Sequence, residues 1–387
     1  MSALRVLAVA GCRPNFVKLG PLWAEMSRHS SLRPLLLHTG QHYDAELSGV
    51  FFRDLGLPQP DTFLQVGSGS HATQTARAME GIEEALYEHT PDLVLVVGDV
   101  NSTLAAALTA VKLGYPVAHV EAGLRSFDRE MPEEINRVTT DSVSDFLFAT
   151  ERQAVTNLIW EGIPGDKVWF VGNVMVDALL QNLERISRSD VLERLTLSPR
   201  RYATLTLHRP DNVGDAAAAG SIADALESIQ KRIPIVFPVH PRSREELDRL
   251  GIWSRLAAMP NVLLVGPLGY LDFLKLLKES ALVLTDSGGV QEESTVLRVP
   301  CLTLRDSTER PATVLEGSNR IVGKDPRAIV EAAQEAIAGE WRFRGVPEKW
   351  DGMAARRIVQ VLLREEAKIR SLYGGLRRRM ACKRVMA

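Results

Sequence analysis

Two carboxylates close short apolar runs in the first half of the chain, and a third follows in a loop. Asp99 follows Leu93–Val97, Glu121 ends Val117–Glu121, and Glu133 sits in Met131-Pro132-Glu133-Glu134. An ionised carboxylate at the end of a central, buried strand needs a partner or a raised pKa. Three such groups converging from successive strand-to-helix loops would titrate together, one holding a proton while another stays a base. Proton removal and return on two faces of a substrate requires that. Each carboxylate also has a plainer reading. Asp99 serves equally as a helix cap, and Glu133 with Glu134 as an acidic pair complementing a helix dipole.

The second kind of chemistry is anion binding. Leu284-Thr285-Asp286-Ser287-Gly288-Gly289-Val290-Gln291-Glu292-Glu293 reads as a strand, a Gly-rich turn and a helix start. Free N–H groups in the first turn of such a helix point at a phosphate, and the dipole favours negative charge there. Ser287 adds a hydroxyl donor, while Gly288 and Gly289 clear the approach. Glu292 or Glu293, one turn further on, is placed to accept hydrogen bonds from sugar hydroxyls. The plainer reading is a capped strand–helix junction, because Ser-Gly-Gly turns are common.

Further polar clusters follow other apolar runs. Gly11-Cys12-Arg13-Pro14-Asn15-Phe16-Val17-Lys18 puts the cations Arg13 and Lys18 near a helix N-terminus, with Pro14 where a first turn tolerates it. Thr39-Gly40-Gln41-His42 offers an amide and an imidazole, suited to a ligand or to a polar turn. His208 and Arg209 end another run, where a lone histidine is more often structural but where a ligand would also sit. His240 with Arg242 ends the next. Gly266-Pro267-Leu268-Gly269-Tyr270 is a turn whose backbone could hold a base edge-on, and Arg305, Thr308 and Arg310 add donors beside the Ser287 turn. Singly, each cluster has a bland alternative. Nine of them at nine strand ends make chance a poor explanation.

The elements that position them alternate short β-branched strands with longer helical segments. The strands expected are Leu4–Ala10, Pro34–His38, Leu93–Val97, Val117–Glu121, Phe146–Ala149 and Val168–Val171, then Ala203–Leu207, Ile235–Val239, Val262–Val265, Leu282–Thr285 and Cys301–Leu304. Near-continuous apolar strands between helices mean parallel sheets covered on both faces, with ligands at the carboxyl ends. The fold class is α/β, as two Rossmann-like doubly wound domains facing across a cleft. The domains expected are 1–180 plus 352–370, carrying the carboxylates, and 181–351, carrying the anion turn; 371–387 is a basic tail. Helices are expected at Val174–Ile186 and from about Met353 to Ser371.

Bulk properties narrow the partners. The chain has 387 residues, 45% hydrophobic and 24% charged, with net charge −2. That balance argues against nucleic acid or a membrane surface as partner. Cys12, Cys301 and Cys382 are scattered, so neither a disulfide framework nor a metal site is expected. No apolar stretch approaches the ~20 residues of a membrane span, and no signal peptide is legible, so a cytoplasmic location is expected.

The clusters in order resemble the UDP-N-acetylglucosamine 2-epimerase family. The matching segments are Gly11–Leu22, Thr39–His42, Val96–Thr103, His119–Ser126, Met131–Arg137, Val171–Asp177, Leu207–Asn212, His240–Arg242, Thr285–Glu293 and Arg305–Pro311. The resemblance covers about residues 4 to 365, and the joint order is far more specific than any single motif. It implies the glycosyltransferase-B architecture, a UDP-sugar substrate, no cofactor and no metal, and a homodimer. Non-hydrolysing members interconvert UDP-GlcNAc and UDP-ManNAc through 2-acetamidoglucal and UDP. Members acting on UDP-2,3-diacetamido-glucuronic acid share the framework. A hydrolysing epimerase and a glycosyltransferase of the same fold are the alternatives.

By resemblance, Asp99, Glu121 and Glu133 are the acid/base carboxylates, with the base and the acid among them left open. Arg13 and His208 stand at the diphosphate, Ser287, Gly288 and Gly289 cradle it, and Glu293 accepts from the ribose. Gly269 and Tyr270 lie at the uracil. Lys18, Gln41, His42, Arg137, Arg209, His240, Arg305 and Arg310 line the substrate. Two departures are visible: Cys12 and Asn15 stand where Thr and Glu are common, Asn15 beside the sugar. Tyr43-Asp44 differs from bacterial members with an allosteric UDP-GlcNAc site, so allosteric activation is not implied.

Overall fold

A computed structural model describes residues 2–41, 52 and 55–374. His42, Tyr43, Asp44 and the Arg377–Arg379 run lie outside the described residues. The chain divides into two compact units, Met1–Gln181 with Glu348–Ala387, and Asn182–Pro347.

The first unit is built on seven parallel strands: β1 (Leu4–Ala10), β2 (Leu32–His38), β3 (Thr62–Phe63), β4 (Leu93–Val97), β5 (Val117–Ala122), β6 (Phe146–Ala149) and β7 (Val168–Phe170). Their order is β3-β2-β1-β4-β5-β6-β7. Every residue of β4 and β5 is buried, as the unbroken apolar run of β4 requires when helices cover both faces. The strand order reverses at β1 and β4, which opens a crevice at their carboxyl ends. The Arg13–Met26 helix starts beyond β1, the Asn101–Lys112 helix beyond β4, and the Pro132–Val143 helix beyond β5.

The segment from Glu348 onward returns to this unit. Its Ala354–Arg364 helix packs on the Arg13–Met26 and Val174–Gln181 helices. Asp177, buried, accepts from Ala354 N (3.1 Å) and Ala355 N (2.7 Å) and so caps that helix. Trp350 Nε1 donates to Thr150 O at 3.1 Å.

The second unit holds β8 (Ala203–Thr206), β9 (Ile235–Pro238), β10 (Val262–Val265), β11 (Leu282–Thr285), β12 (Cys301–Thr303) and β13 (Asn319–Ile321). All are parallel, in the order β10-β9-β8-β11-β12-β13. The reversal falls at β8 and β11. The Gly288–Leu297 helix begins beyond β11, directly after Ser287. β3 and β13 were not expected, being two and three residues long with polar members. The expected Val174–Ile186 helix breaks at Asn182, a residue whose amide competes with helical hydrogen bonding. The last helix is interrupted at Glu365.

Candidate active site

In the first unit, two of the three carboxylates come together at adjacent strand ends, each held by its own cation. Lys18 Nζ lies 2.5 Å from Glu121 Oε2, with both side chains buried. Arg137 Nη1 donates to Asp99 Oδ2, and the Asp99 side chain keeps partial exposure. Glu121 sits at a register shift between β5 and β6 with φ of +76°, an unusual conformation for a residue with a side chain. The irregularity turns the carboxylate away from the strand's regular alternation, as bulges beside active sites do. Gly98 (φ +68°) makes the turn before Asp99, and a Cβ there would lie 3.1 Å from Lys18 Nζ. Glycine there leaves room for the ammonium that pairs with Glu121.

Glu133 and Arg137 are four apart on the Pro132–Val143 helix and share one side of it. Glu133 is half-buried, and among the described residues no hydrogen bond or ion pair holds its carboxylate. Its neighbour Glu134 is structural. It accepts from Ser126 N (2.9 Å), Phe127 N (3.0 Å) and Arg137 Nη2 (2.7 Å). Burial would raise its pKa, but these donors and the Arg137 charge carry it below the usual carboxylate value.

The other first-unit residues surround this group. Arg13 opens the Arg13–Met26 helix, half-buried. Asn15 is wholly engaged with the protein: its Oδ1 accepts from Gly11 N (3.0 Å) and Cys12 N (3.2 Å), and its Nδ2 donates to Val97 O (2.9 Å). It therefore staples the loops after β1 and β4. Gln41 does similar work, its Oε1 accepting from Ser102 N (3.1 Å) and Ser102 Oγ (2.7 Å).

In the second unit the organising residue is Asp286, fully buried at the end of β11. It accepts from His208 N, Arg209 N and Asn212 Nδ2, and its Oδ1 lies 2.8 Å from His208 Nδ1. Burial pushes its pKa up, but His208 and the backbone N–H groups outweigh this and hold it below the usual carboxylate value. His208 is left 52% exposed. Ser287 is the N-cap of the Gly288–Leu297 helix. A Cβ on Gly288 would stand 2.7 Å from Glu309 Oε1. Glu309 in turn holds Arg305 Nη1 (2.8 Å) and Arg209 Nη2 (3.3 Å), while Arg310 Nε pairs with Glu292 Oε1 (2.6 Å). Three guanidinium groups are thus drawn to the start of that helix, and Gly289 continues its first turn.

Glu293 is buried, and its pKa is pushed up to about 8 by desolvation and then by Glu292. Tyr270, at the start of its own helix with Gly269 as N-cap, is also buried; desolvation and Glu293 raise its phenol well above the ordinary value. His240 caps the Pro241–Arg249 helix, its Nδ1 accepting from Arg242 N at 3.3 Å. Asp286 and Glu309 are central to the geometry of the second unit yet were not singled out from sequence. Their signal was present: Asp286 precedes the Ser-Gly-Gly turn, and Glu309 stands four residues after Arg305. Among the described residues there is no cluster of metal-ligating side chains, and no helix long and apolar enough to cross a membrane.

Comparison with known proteins identifies the family. A family described as UDP-N-acetylglucosamine 2-epimerase matches residues 24–363. The UDP-N-acetylglucosamine 2-epimerase of Methanococcus maripaludis is 40% identical, over 92% of this chain and 98% of that protein. The UDP-2,3-diacetamido-2,3-dideoxy-D-glucuronate 2-epimerase of Pseudomonas aeruginosa is 42% identical, over 93% of this chain and 99% of its own. The crystal structure of the Methanocaldococcus jannaschii UDP-GlcNAc 2-epimerase in complex with UDP-GlcNAc and UDP is similar with a TM-score of 0.86 at 40% identity, covering 93% of this chain and 99% of that one. Fold and likeness together define the class, a nucleotide-sugar 2-epimerase on the glycosyltransferase-B fold. The chain belongs to the UDP-N-acetylglucosamine 2-epimerase family.

Proposed function

We propose that this chain interconverts UDP-N-acetylglucosamine and UDP-N-acetylmannosamine without hydrolysis. A carboxylate removes the C2 proton. The C1–O bond to UDP then breaks anti to it, the electron pair leaving with UDP, and a C1–C2 double bond forms in 2-acetamidoglucal. UDP re-adds at C1 while a proton returns to the opposite face of C2. The sequence is redox-neutral. Asp99, Glu121 and Glu133 carry the protons. Ser287, Gly288 and Gly289 cradle the diphosphate, and Arg13 and His208 stabilise the departing charge. Glu293 accepts from the ribose, and Gly269 and Tyr270 border the uracil. Lys18, Arg137, Arg305 and Arg310 keep the charged groups in place.

The observation that carries this reading is the pair of cation-held carboxylates, Glu121 with Lys18 and Asp99 with Arg137, at the ends of β5 and β4. The test is incubation with UDP-GlcNAc in deuterated water, followed by NMR. Deuterium at C2 with UDP retained on the sugar is expected. Free hexosamine accumulating with UDP would replace this reading with a hydrolysing epimerase.

A second substrate is favoured by the 42% identity to the diacetamido-glucuronate epimerase. Asn15 alone does not decide between the two, because its amide is spent on Gly11, Cys12 and Val97. The same exchange assay over a panel of UDP-sugars separates them. The reading also carries a homodimer, a cytoplasmic site of action and supply of ManNAc-type sugars to surface polysaccharide.

A further inference from the structure

A buried charged chain runs behind the carboxylates of the first unit. Asp141, on the Pro132–Val143 helix, has its side chain wholly buried. Its Oδ1 meets His119 Nδ1 at 2.7 Å. Its Oδ2 accepts from Gly123 N at 3.0 Å and pairs with Arg125 Nη1 at 2.7 Å. The other His119 nitrogen, Nε2, lies 2.8 Å from Gly98 O. A carbonyl can only accept, so that nitrogen donates. Arg125 is anchored on its far side by Glu161, at 2.7 Å from Nε and 2.6 Å from Nη2.

The partners at the two ends of this chain have something in common. Gly98 is the residue before Asp99, and Gly123 is two residues after Glu121. Both glycines have positive φ, +68° and +83°, so each sits in a turn that few other backbones adopt. One carboxylate therefore fixes the turn presenting Asp99, through His119, and the turn presenting Glu121, directly. The same helix carries Glu133 and Arg137, spaced four and four from Asp141 on one side. Burial alone would raise the Asp141 pKa, but His119 and Arg125 hold it below the usual carboxylate value.

We propose that Asp141 and His119 are positioning residues that set Asp99 and Glu121 in register with each other and with Glu133. This rests on the epimerase reading above. Misplacement of a reacting group by about 1 Å costs on the order of 100-fold in rate. Neither side chain need touch the substrate, so the loss falls on kcat.

The test measures C2 deuterium exchange kinetics, UDP affinity by calorimetry, and thermal unfolding, for wild type, Asp141→Asn, His119→Gln and Arg125→Gln. Expected for Asp141→Asn and His119→Gln is a fall in kcat of about 10- to 100-fold, with KM and UDP affinity within about threefold of wild type. Arg125→Gln removes a charge partner of Asp141 but leaves its bonds to His119 and Gly123, and should lose stability with a much smaller fall in kcat. Unchanged kcat in His119→Gln overturns the proposal. So does a fall in kcat that tracks the loss of stability equally in all three variants. Should Asp141→Asn fail to fold, His119→Gln decides, since it leaves Asp141 bound to Gly123 and Arg125. If wild type itself exchanges no C2 proton on any UDP-sugar, the functional reading fails first, and the two failures are told apart.

Discussion

Asp286 and Glu293 are both buried, seven residues apart, and their environments push them in opposite directions. Asp286 is surrounded by donors and stays ionised, whereas Glu293 meets burial and the charge of Glu292 and rises from 4.5 to about 8. Between those two pH values the folded chain holds the Glu293 proton and the unfolded chain has released it. This contribution to stability is present in full below 4.5 and is lost as pH rises through 8. Glu293→Gln removes it. The urea midpoint of the variant should gain on wild type progressively from about pH 5 to about pH 9. A gap that stays constant across that range would contradict the assignment. The residue scale also shows what a sequence yields. Asp99, Glu121, His208 and Ser287 were legible because each ends a strand. Asp141 was not, because a carboxylate inside a helix looks like solvated surface until its partners are known. Glu133 and Glu134 could not be told apart by type, and only the hydrogen bonds to Ser126 and Phe127 mark Glu134 as structural.

Among the elements, the strands with continuous apolar runs were found within two residues, since burial on both faces leaves little other composition open to them. β3 and β13 escaped because edge strands this short carry no periodic pattern. The break at Asn182 escaped because the apolar spacing runs across it. The Gly288–Leu297 helix shows why its first residue is glycine rather than any good helix former. Glu309 lies against it, and Arg305 and Arg209 fix Glu309 from the other side. A methyl at Gly288 has to displace a carboxylate that two guanidinium groups hold. Gly288→Ala should therefore destabilise the fold by about 1–3 kcal/mol, the usual cost of overpacking a filled site. Chemical denaturation measures this. In a Glu309→Ala background the same substitution should cost little, because the obstructing oxygen is gone. Equal costs in the two backgrounds would show that the clash is not what selects glycine.

For the whole molecule, the two units carry different parts of the proposed chemistry. The first holds the carboxylates and their cations, and the second holds the anion turn, His208 and the guanidinium cluster. In a non-hydrolysing epimerase UDP is both leaving group and returning nucleophile, so the second unit has to retain it while the glucal exists. On the proposed reaction, binding and retention fall to Ser287 and its neighbours, and proton transfer to Glu121 and Asp99. Variants should divide accordingly. Glu121→Gln should bind UDP within about threefold of wild type while losing about 100-fold or more in C2 exchange, the scale of a lost acid/base group. Ser287→Ala should keep measurable exchange but release 2-acetamidoglucal and free UDP during turnover, followed together by proton and phosphorus NMR. The two defects should appear in separate variants because each removes a different requirement of one reaction. Ser287→Ala that binds UDP more weakly yet never leaks would confine the turn to recognition. Glu121→Gln that exchanges at the wild-type rate would remove Glu121 from the proton path and leave Asp99 and Glu133 to supply both faces.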